Sequence, residues 1–157
     1  MRNLIINRTV TEDDWILVED GGEIPASGRP LLSLKALQQQ VPAGEFGLWL
    51  NPQDEPAEAQ PWFDKLSLIA VRFPVFSDGR GYSSATLLRR LGWQGELRAV
   101  GDVLRDQLFY LSRVGFNSFA IREDRSAHDA LASLDDFSER YQGAVDQPLP
   151  LFRRHAA

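Results

Sequence analysis

The stretch LSLIAVRFPVFSDGRGYSS, residues 66–84, joins an apolar run of strand length to a loop rich in glycine and hydroxyl side chains. Small and apolar residues then recur at helical spacing from Ser84 to Leu91, and Gly92 stands where a helix would end. An apolar strand that is followed by a loop and a one-sided helix is the β–α unit of parallel sheets. The stretch therefore predicts a strand over residues 66–73 and a helix that follows it.

The same pattern recurs along the rest of the chain. Further apolar runs predict strands over residues 46–50, 97–101 and 118–122, and one-sided helical patterns cover residues 104–115 and 126–141. The second of these helices carries a capping signal at its start, and the first has an aspartate placed to cap it. This alternation predicts an α/β protein with a parallel sheet.

The first part of the chain has a different composition. Short apolar runs at residues 4–6 and 15–18 predict small strands, and the glycine- and proline-containing segment 19–30 predicts a loop. In the acidic segment 51–66, Pro56 and Pro61 cannot lie in a helix interior, so a short broken helix is expected there.

One domain over residues 1–157 accommodates all of these elements. We expect a small β-rich element over residues 1–44, a core of β–α repeats over residues 45–141 and a C-terminal tail over residues 142–157. A chain of this length can bury a core without disulfides or metal.

Composition excludes several classes of function. The formal net charge is −5, so a broad surface for the phosphate backbone of nucleic acid is not expected. The chain has no cysteine, which excludes thiol redox chemistry and cysteine ligation of zinc or iron–sulfur clusters by this chain. His128 and His155 are not at metal-ligand spacing, so no metal site is predicted. No apolar run reaches the length of a membrane span, and the cytoplasm is the expected compartment.

Charged side chains follow three of the predicted strands. Asp78 and Arg80 follow the strand over residues 66–73, Asp102 follows the next strand, and Arg122 ends the last one. Loops at the carboxyl ends of parallel strands converge on one edge of the sheet, where sites are usually assembled. We therefore expect these side chains to share one edge.

The loop after residues 66–73 has the chemistry of a pocket for a small oxyanion. Its two glycines permit positive φ and a close approach of backbone N–H groups, and the following helix presents unpaired N–H groups. An arginine between them supplies a planar donor fork for carboxylate, sulfate or phosphate oxygens. The predicted anion-binding residues are Asp78, Gly79, Arg80, Gly81, Tyr82, Ser83 and Arg122.

A purely structural interpretation of this loop stands beside the pocket. Asp78 and Ser83 then cap the helix, the glycines form the turn, and Arg80 pairs with Asp78 or Asp102. The loop matches neither the phosphate-binding P-loop nor the dinucleotide fingerprint, so the sequence identifies no cofactor. Asp102 is the candidate catalytic acid or base, and a helix cap is the alternative role for it.

The block LIAVRFPVFSDGRGYSSATLLRRLGWQGELRAVGDVLRDQLFYLSRVGFNSFAI, residues 68–121, resembles the signature region of a bacterial family, domain-of-unknown-function family 934. Its members are labelled oxidoreductases of sulfite reduction because they are associated with assimilatory sulfite reductase. The same block resembles consecutive units of a (β/α) barrel, and four strands make half of one. Open sheet edges in a half barrel imply a covering element or a homodimer.

Two functions follow from this resemblance. The first is an enzyme or enzyme-like subunit of sulfur assimilation that binds sulfite, sulfate or a sulfonucleotide, with Arg80 and Arg122 holding the anion. The second is a non-catalytic accessory or assembly protein that docks on sulfite reductase or a neighbouring enzyme. Whether the chain is itself an enzyme stays open at this point.

Overall fold

The computed structural model describes residues 4–75, 79–122 and 126–135. Eight strands lie in this part of the chain: β1 (Leu4–Ile6), β2 (Thr9–Thr11), β3 (Trp15–Leu17), β4 (Arg29–Leu32), β5 (Gly47–Leu50), β6 (Leu68–Phe73), β7 (Glu96–Gly101) and β8 (Ser118–Ala120). The helices are α1 (Leu34–Gln39), α2 (Arg80–Arg90), α3 (Leu108–Arg113) and α4 (Ala127–Asp135), with 3-10 turns at Pro56–Trp62 and Arg105–Gln107. Among these described helices, none is both long and apolar enough to cross a membrane.

All eight strands belong to one sheet with the order β2-β1-β8-β7-β6-β5-β4-β3. The strands from β3 to β8 are parallel and follow one another in chain order. At the other edge β1 is antiparallel to β8, and β2 is antiparallel to β1. The α/β class is therefore confirmed, whereas the prediction of a purely parallel sheet is wrong.

The N-terminal strands are part of this sheet rather than a separate β element. Asn7 and Arg8 form a two-residue hairpin loop between β1 and β2, and both have positive φ angles, 49° and 66°. Two positive φ angles are typical of the tight turn whose twist matches antiparallel strands. The hairpin can therefore add to β8, while β3 and β4 extend the opposite edge.

The sheet curls into a half-barrel. Its edge strands are β2 and β3, and only three residues link Thr11 to Trp15. A flat sheet of eight strands would place its edges about 34 Å apart, whereas four Cα steps span at most about 14 Å. Asp13 in this link accepts a hydrogen bond from Arg98 Nη1 at 2.9 Å, although Arg98 lies in β7 near the middle of the sheet. The contact crosses the interior of the curl.

The two faces of the sheet are both buried. The outer face carries the larger core, in which the helices pack with Ala85, Leu88, Leu108 and Leu111. The inner face carries a smaller cluster of Trp15, Leu31, Trp49, Leu68 and Ala70. This double burial explains why the strands have almost continuous apolar sequences instead of an alternating pattern.

The unit formed by β4 and α1 was absent from the sequence-based prediction. Residues 19–30 were expected to form a loop, but β4 begins at Arg29. Ser33 caps the following helix because its hydroxyl accepts a hydrogen bond from the Ala36 N–H at 3.2 Å. This six-residue helix is too short to display the apolar stripe that reveals longer helices.

Other helix boundaries also differ from the prediction. Helix α2 begins at Arg80, four residues before Ser84, the first position of its predicted stripe. The helix expected over residues 104–115 is divided, because a 3-10 turn comes first and the Gln107 side chain accepts the Leu104 N–H at 2.9 Å. Ser126 caps α4 as predicted, by accepting the Asp129 N–H at 3.3 Å. The predicted continuation beyond residue 135 lies outside the described residues.

Candidate functional site

The carboxyl ends of β6, β7 and β8 lie side by side, and this brings two predicted site residues together. Phe73 is in register with Gly101, and the next residue, Asp102, donates its backbone N–H to the Phe73 carbonyl at 2.8 Å. Arg122 donates its backbone N–H to the Val103 carbonyl at 3.2 Å. The Arg122 guanidinium then reaches the Asp102 carboxylate, with Nη1 to Oδ1 at 3.0 Å. Asp102 therefore pairs with Arg122 instead of capping a helix.

Gly101 makes the exit from β7 possible. Its φ angle is +96°, which residues with a side chain rarely adopt, and a Cβ atom there would lie 2.4 Å from the Phe73 carbonyl oxygen. The same carbonyl accepts the Asp102 N–H. A side chain at this position would therefore separate Asp102 from the end of β6.

The predicted anion loop is only partly within the described residues. Asp78 lies outside them, together with Phe76 and Ser77. Gly79 precedes α2 with a φ angle of −74°, so it does not use the positive φ that a glycine permits. Arg80 is exposed and is the first residue of α2, and Ser83 is exposed one turn later.

Gly81 and Tyr82 serve packing at the start of α2. Gly81 is buried within the helix, and a Cβ atom on it would lie 2.5 Å from carbons of the Phe73 ring. Tyr82 packs its ring edge against the same phenylalanine, with centroids 5.6 Å apart. Burial raises the pKa of the Tyr82 phenol above its ordinary value. Gly81 is thus required for close contact and does not supply a positive φ.

Phe73 joins the two parts of the candidate site. Its ring supports the first turn of α2 through Gly81 and Tyr82, and its carbonyl holds the backbone of Asp102. The first turn of α2 and the pair of Asp102 with Arg122 therefore flank one residue at the same edge of the sheet.

A second arginine at this edge was missed by the sequence-based prediction. Arg72, in β6, follows Leu68 and Ala70 at alternate positions, and both of these belong to the inner cluster. Its guanidinium lies over the Trp49 ring at 5.4 Å from the centroid and contacts Glu19 at 3.3 Å. The sequence does contain a signal for it: Arg72 is the charged residue within an apolar strand, and a charged side chain there needs a partner or access to solvent.

We call the four charged side chains Glu19, Arg72, Asp102 and Arg122 the carboxyl mouth. They come from the ends of β3, β6, β7 and β8, and the curl of the sheet brings them to one side. The side chains of Arg72 and Arg122 are 36% and 39% exposed, so both guanidinium groups are accessible to a solute. The Asp102 side chain is 19% exposed.

A groove of about 610 Å³ lies elsewhere, between the loop after β3 and helix α1. It is lined by the side chains of Asp20, Glu23, Lys35, Gln39 and Gln40, among others. With two carboxylates against one ammonium group it is poorly suited to an anion. The chemistry of the side chains therefore favours the carboxyl mouth over this groove as a site for an anion.

The described residues hold no cluster of three His, Asp or Glu side chains that could bind a metal ion. His128 is exposed on α4, and His155 lies outside the described residues. The chemistry available at the carboxyl mouth is therefore that of two guanidinium groups and two carboxylates.

Fold and site together define an α/β protein with a curled sheet and an arginine-bearing carboxyl edge. The sequence model of DUF934, a family of bacterial proteins of unknown function, matches residues 47–152, and the chain belongs to this family. No curated protein matches the sequence. The family match begins with β5, so strands β1 to β4 lie before it.

Proposed function

We propose that this protein binds a small oxyanion at the carboxyl edge of its sheet and acts in assimilatory sulfite reduction. One observation carries the proposal: Arg122, with an accessible guanidinium, is held by Asp102 beside the first turn of α2. A guanidinium offers two parallel N–H donors to an oxyanion, and hydrogen bonds of this charged kind are about twice as strong as neutral ones.

Residues at the start of α2 and in the loop before it complete the proposed site. Arg80 and Ser83 are exposed on the first turn of α2. The Tyr82 N–H donates to the Gly79 carbonyl at 3.2 Å, so the proposed backbone donors to an anion are the N–H groups of Arg80 and Gly81. These groups supplement Arg122, and Asp78 and Tyr82 belong to the same proposed set. The process, sulfite reduction, comes from the family resemblance and not from the geometry.

Asp102 is the proposed proton acceptor or donor of the site. Its carboxylate lies within 3.0 Å of the guanidinium that would hold the ligand, so a bound oxyanion and the carboxylate would be neighbours. Electron transfer would require a flavin, a nicotinamide or a partner enzyme, because the chain has no cysteine for this purpose.

Calorimetric titration with sulfite, sulfate and adenosine phosphosulfate tests the binding proposal. We expect the wild-type protein to bind at least one of them and Arg122→Gln to weaken that binding by about 1.5–3 kcal/mol. Asp102→Asn, which keeps the shape of the side chain, should leave the fold intact. Absence of binding by the wild type, alone and with sulfite reductase present, would contradict the proposal.

Growth on defined sulfur sources tests the process. A strain without the gene should fail on sulfate and sulfite as sole sulfur source and should recover on sulfide or cysteine. Reintroduction of the wild-type gene should restore growth on sulfite, and the Arg122→Gln gene should not. Normal growth of the deletion strain on all four sources, in a strain without a second copy of the gene, would contradict the assignment.

A docking function is the second candidate, and exposed apolar side chains favour it. Tyr110 on α3 is 60% exposed and Val75 after β6 is 53% exposed. An accessory protein that docks on sulfite reductase would use such side chains. Co-sedimentation with purified sulfite reductase, lost in Tyr110→Ser but kept in Arg122→Gln, would favour docking over anion binding.

A further inference from the structure

We propose that Arg72 is a second ligand-binding arginine and that Arg72 and Arg122 together hold a divalent oxyanion across the carboxyl mouth. The proposal rests on the proposed function, because it assigns the ligand class and a further residue to the same site. It adds Arg72 to the sequence-based prediction, in which Arg80 and Arg122 hold the anion at the loop before α2.

The strand alternation directs Arg72 into the curl. Leu68 and Ala70 precede it at two-residue intervals and lie in the inner cluster, whereas Ile69 and Val71 lie in the outer core. Side chains two residues apart share one face of a strand. Arg72 is thus the last inward side chain of β6, at the point where the strand opens to solvent.

Trp49 forms a fixed platform beneath Arg72. The indole is 1% exposed and donates its Nε1–H to the Val18 carbonyl at 3.0 Å, so its orientation is set by the core. The Arg72 guanidinium lies over this ring at 5.4 Å. Stacking on an aromatic face restricts a guanidinium while leaving its N–H donors at the edge available. A restricted arginine loses less entropy when it binds an anion.

Arg122 faces the same opening from two strands away. Phe119 in β8 and Ile121 just after it pack in the outer core, while Ser118 contacts Arg98 inside the curl. Arg122 follows Ser118 by four residues, so the same alternation directs it to the inside of the curl. Its contact with Asp102 keeps its side chain at the end of β7. From strand spacing and rise, the Cα atoms of Arg72 and Arg122 are about 12 Å apart. Two arginine side chains can reach one small anion over that separation.

Each arginine is held by a carboxylate, and a ligand can replace the one that contacts Arg72. Glu19 contacts Arg72 at 3.3 Å, but the glutamate side chain is 60% exposed, and exposed ion pairs of this kind contribute little. Asp102 holds Arg122 in a less exposed pair, because the aspartate side chain is 19% exposed. An oxyanion with two negative charges can interact with both guanidinium groups at once, whereas a monovalent anion satisfies only one. The expected ligand class is therefore a divalent oxyanion such as sulfate.

Arg29 provides a matched control at the opposite end of the inner face. It stacks on Trp15 at 4.5 Å, its side chain is 35% exposed, and it pairs with Asp14 and Glu45. Arg29 thus has the same kind of environment as Arg72, but it begins β4 and lies away from the carboxyl mouth. Arg29→Gln removes an equivalent charge without touching the proposed site.

The test is calorimetric titration with sodium sulfate and with sodium nitrate, at constant ionic strength. We expect Arg72→Gln to weaken sulfate binding by roughly 10- to 100-fold. Arg29→Gln should bind sulfate like the wild type. The wild type should prefer sulfate to nitrate, and Arg72→Gln should lose this preference because one guanidinium remains.

The outcomes separate this inference from the proposed function. If the wild type and Arg72→Gln bind sulfate equally while Arg122→Gln binds it more weakly, the proposed role of Arg72 is wrong and the proposed oxyanion site at Arg122 is retained. If the wild type binds no oxyanion, both proposals are wrong. Thermal melts establish whether each variant is folded. If Arg72→Gln does not fold, Arg72→Lys takes its place in the titration. Lysine keeps the charge without the planar donor fork. An Arg72→Lys protein that binds sulfate as tightly as the wild type would therefore also contradict the proposed role of Arg72.

Discussion

Gly81 and the Phe73 ring are packed so closely that a Cβ atom on the glycine would lie 2.5 Å from two ring carbons. Cβ atoms do not approach other atoms to this distance, so a side chain at residue 81 must displace the ring or the helix. Gly81→Val should destabilise the protein by about 1–3 kcal/mol, the usual cost of overpacking. Urea unfolding measures this change.

Gly79 is the control for that prediction. A Cβ atom on Gly79 would meet nothing within 4 Å, and its φ angle of −74° is open to any residue. Gly79→Ala should therefore change the free energy of unfolding by less than about 0.5 kcal/mol. Equal destabilisation by both variants would mean that the loop backbone, and not the contact with Phe73, imposes the requirement for glycine.

Asp13 should stabilise the curl of the sheet through Arg98. The Arg98 side chain is 1% exposed and also bonds Glu96 and Ser118, so loss of Asp13 leaves a buried guanidinium nitrogen without its carboxylate. Asp13→Ala should lower the free energy of unfolding by about 1–3 kcal/mol. The neighbouring Asp14 is 71% exposed, and Asp14→Ala should have a much smaller effect. Similar unfolding curves for the two variants would contradict this role.

Tyr82 should make stability fall at high pH. Burial raises the pKa of its phenol in the folded protein, so the unfolded chain loses the proton at lower pH than the folded chain does. The contribution of Tyr82 to stability is complete below about pH 10 and decreases as the pH rises through the folded-state pKa. Tyr82→Phe should therefore lose less stability than the wild type between pH 9.5 and 11, roughly the range around the ordinary tyrosine pKa. Parallel pH profiles would contradict the prediction.

Arg80 distinguishes the anion loop from a purely structural turn. Because Arg80 is exposed at the start of α2, Arg80→Ala should leave thermal stability nearly unchanged. If the loop binds the anion, affinity for sulfite or sulfate should fall by about 1.5–3 kcal/mol. An Arg80→Ala protein with wild-type affinity would leave the loop as a structural turn and Arg122 as the binding residue.

The β–α units were predictable where strands and helices are long. Residues 66–73 and 97–101 have apolar runs that the structure places in β6 and β7, and the stripe after Ser84 lies in α2. Short elements such as α1 and β2 carry too few residues for a periodic pattern. Their positions depend on tertiary contacts: the β1–β2 hairpin pairs with β8, and α1 packs against β5.

The site was predictable only in part, for a physical reason. Asp102 and Arg122 follow strands directly, so the convergence of parallel strands was enough to place them at one edge. Arg72 lies inside a strand, and its access to solvent depends on the curl of the sheet. The packing of Gly81 on Phe73 likewise needs the angle between α2 and β6, which the local sequence does not contain.

The most direct measurement of the central claim is a crystal structure of the wild-type protein soaked in sodium selenate, with the anion located by its anomalous scattering. We predict a selenium peak at the carboxyl mouth, within hydrogen-bond reach of the Arg122 and Arg72 guanidinium groups and beside the first turn of α2. The peak should be absent from crystals of Arg122→Gln that are soaked in the same way. A selenium peak at Arg29 alone, or no peak at the mouth in crystals whose mouth is open to solvent, would contradict the account.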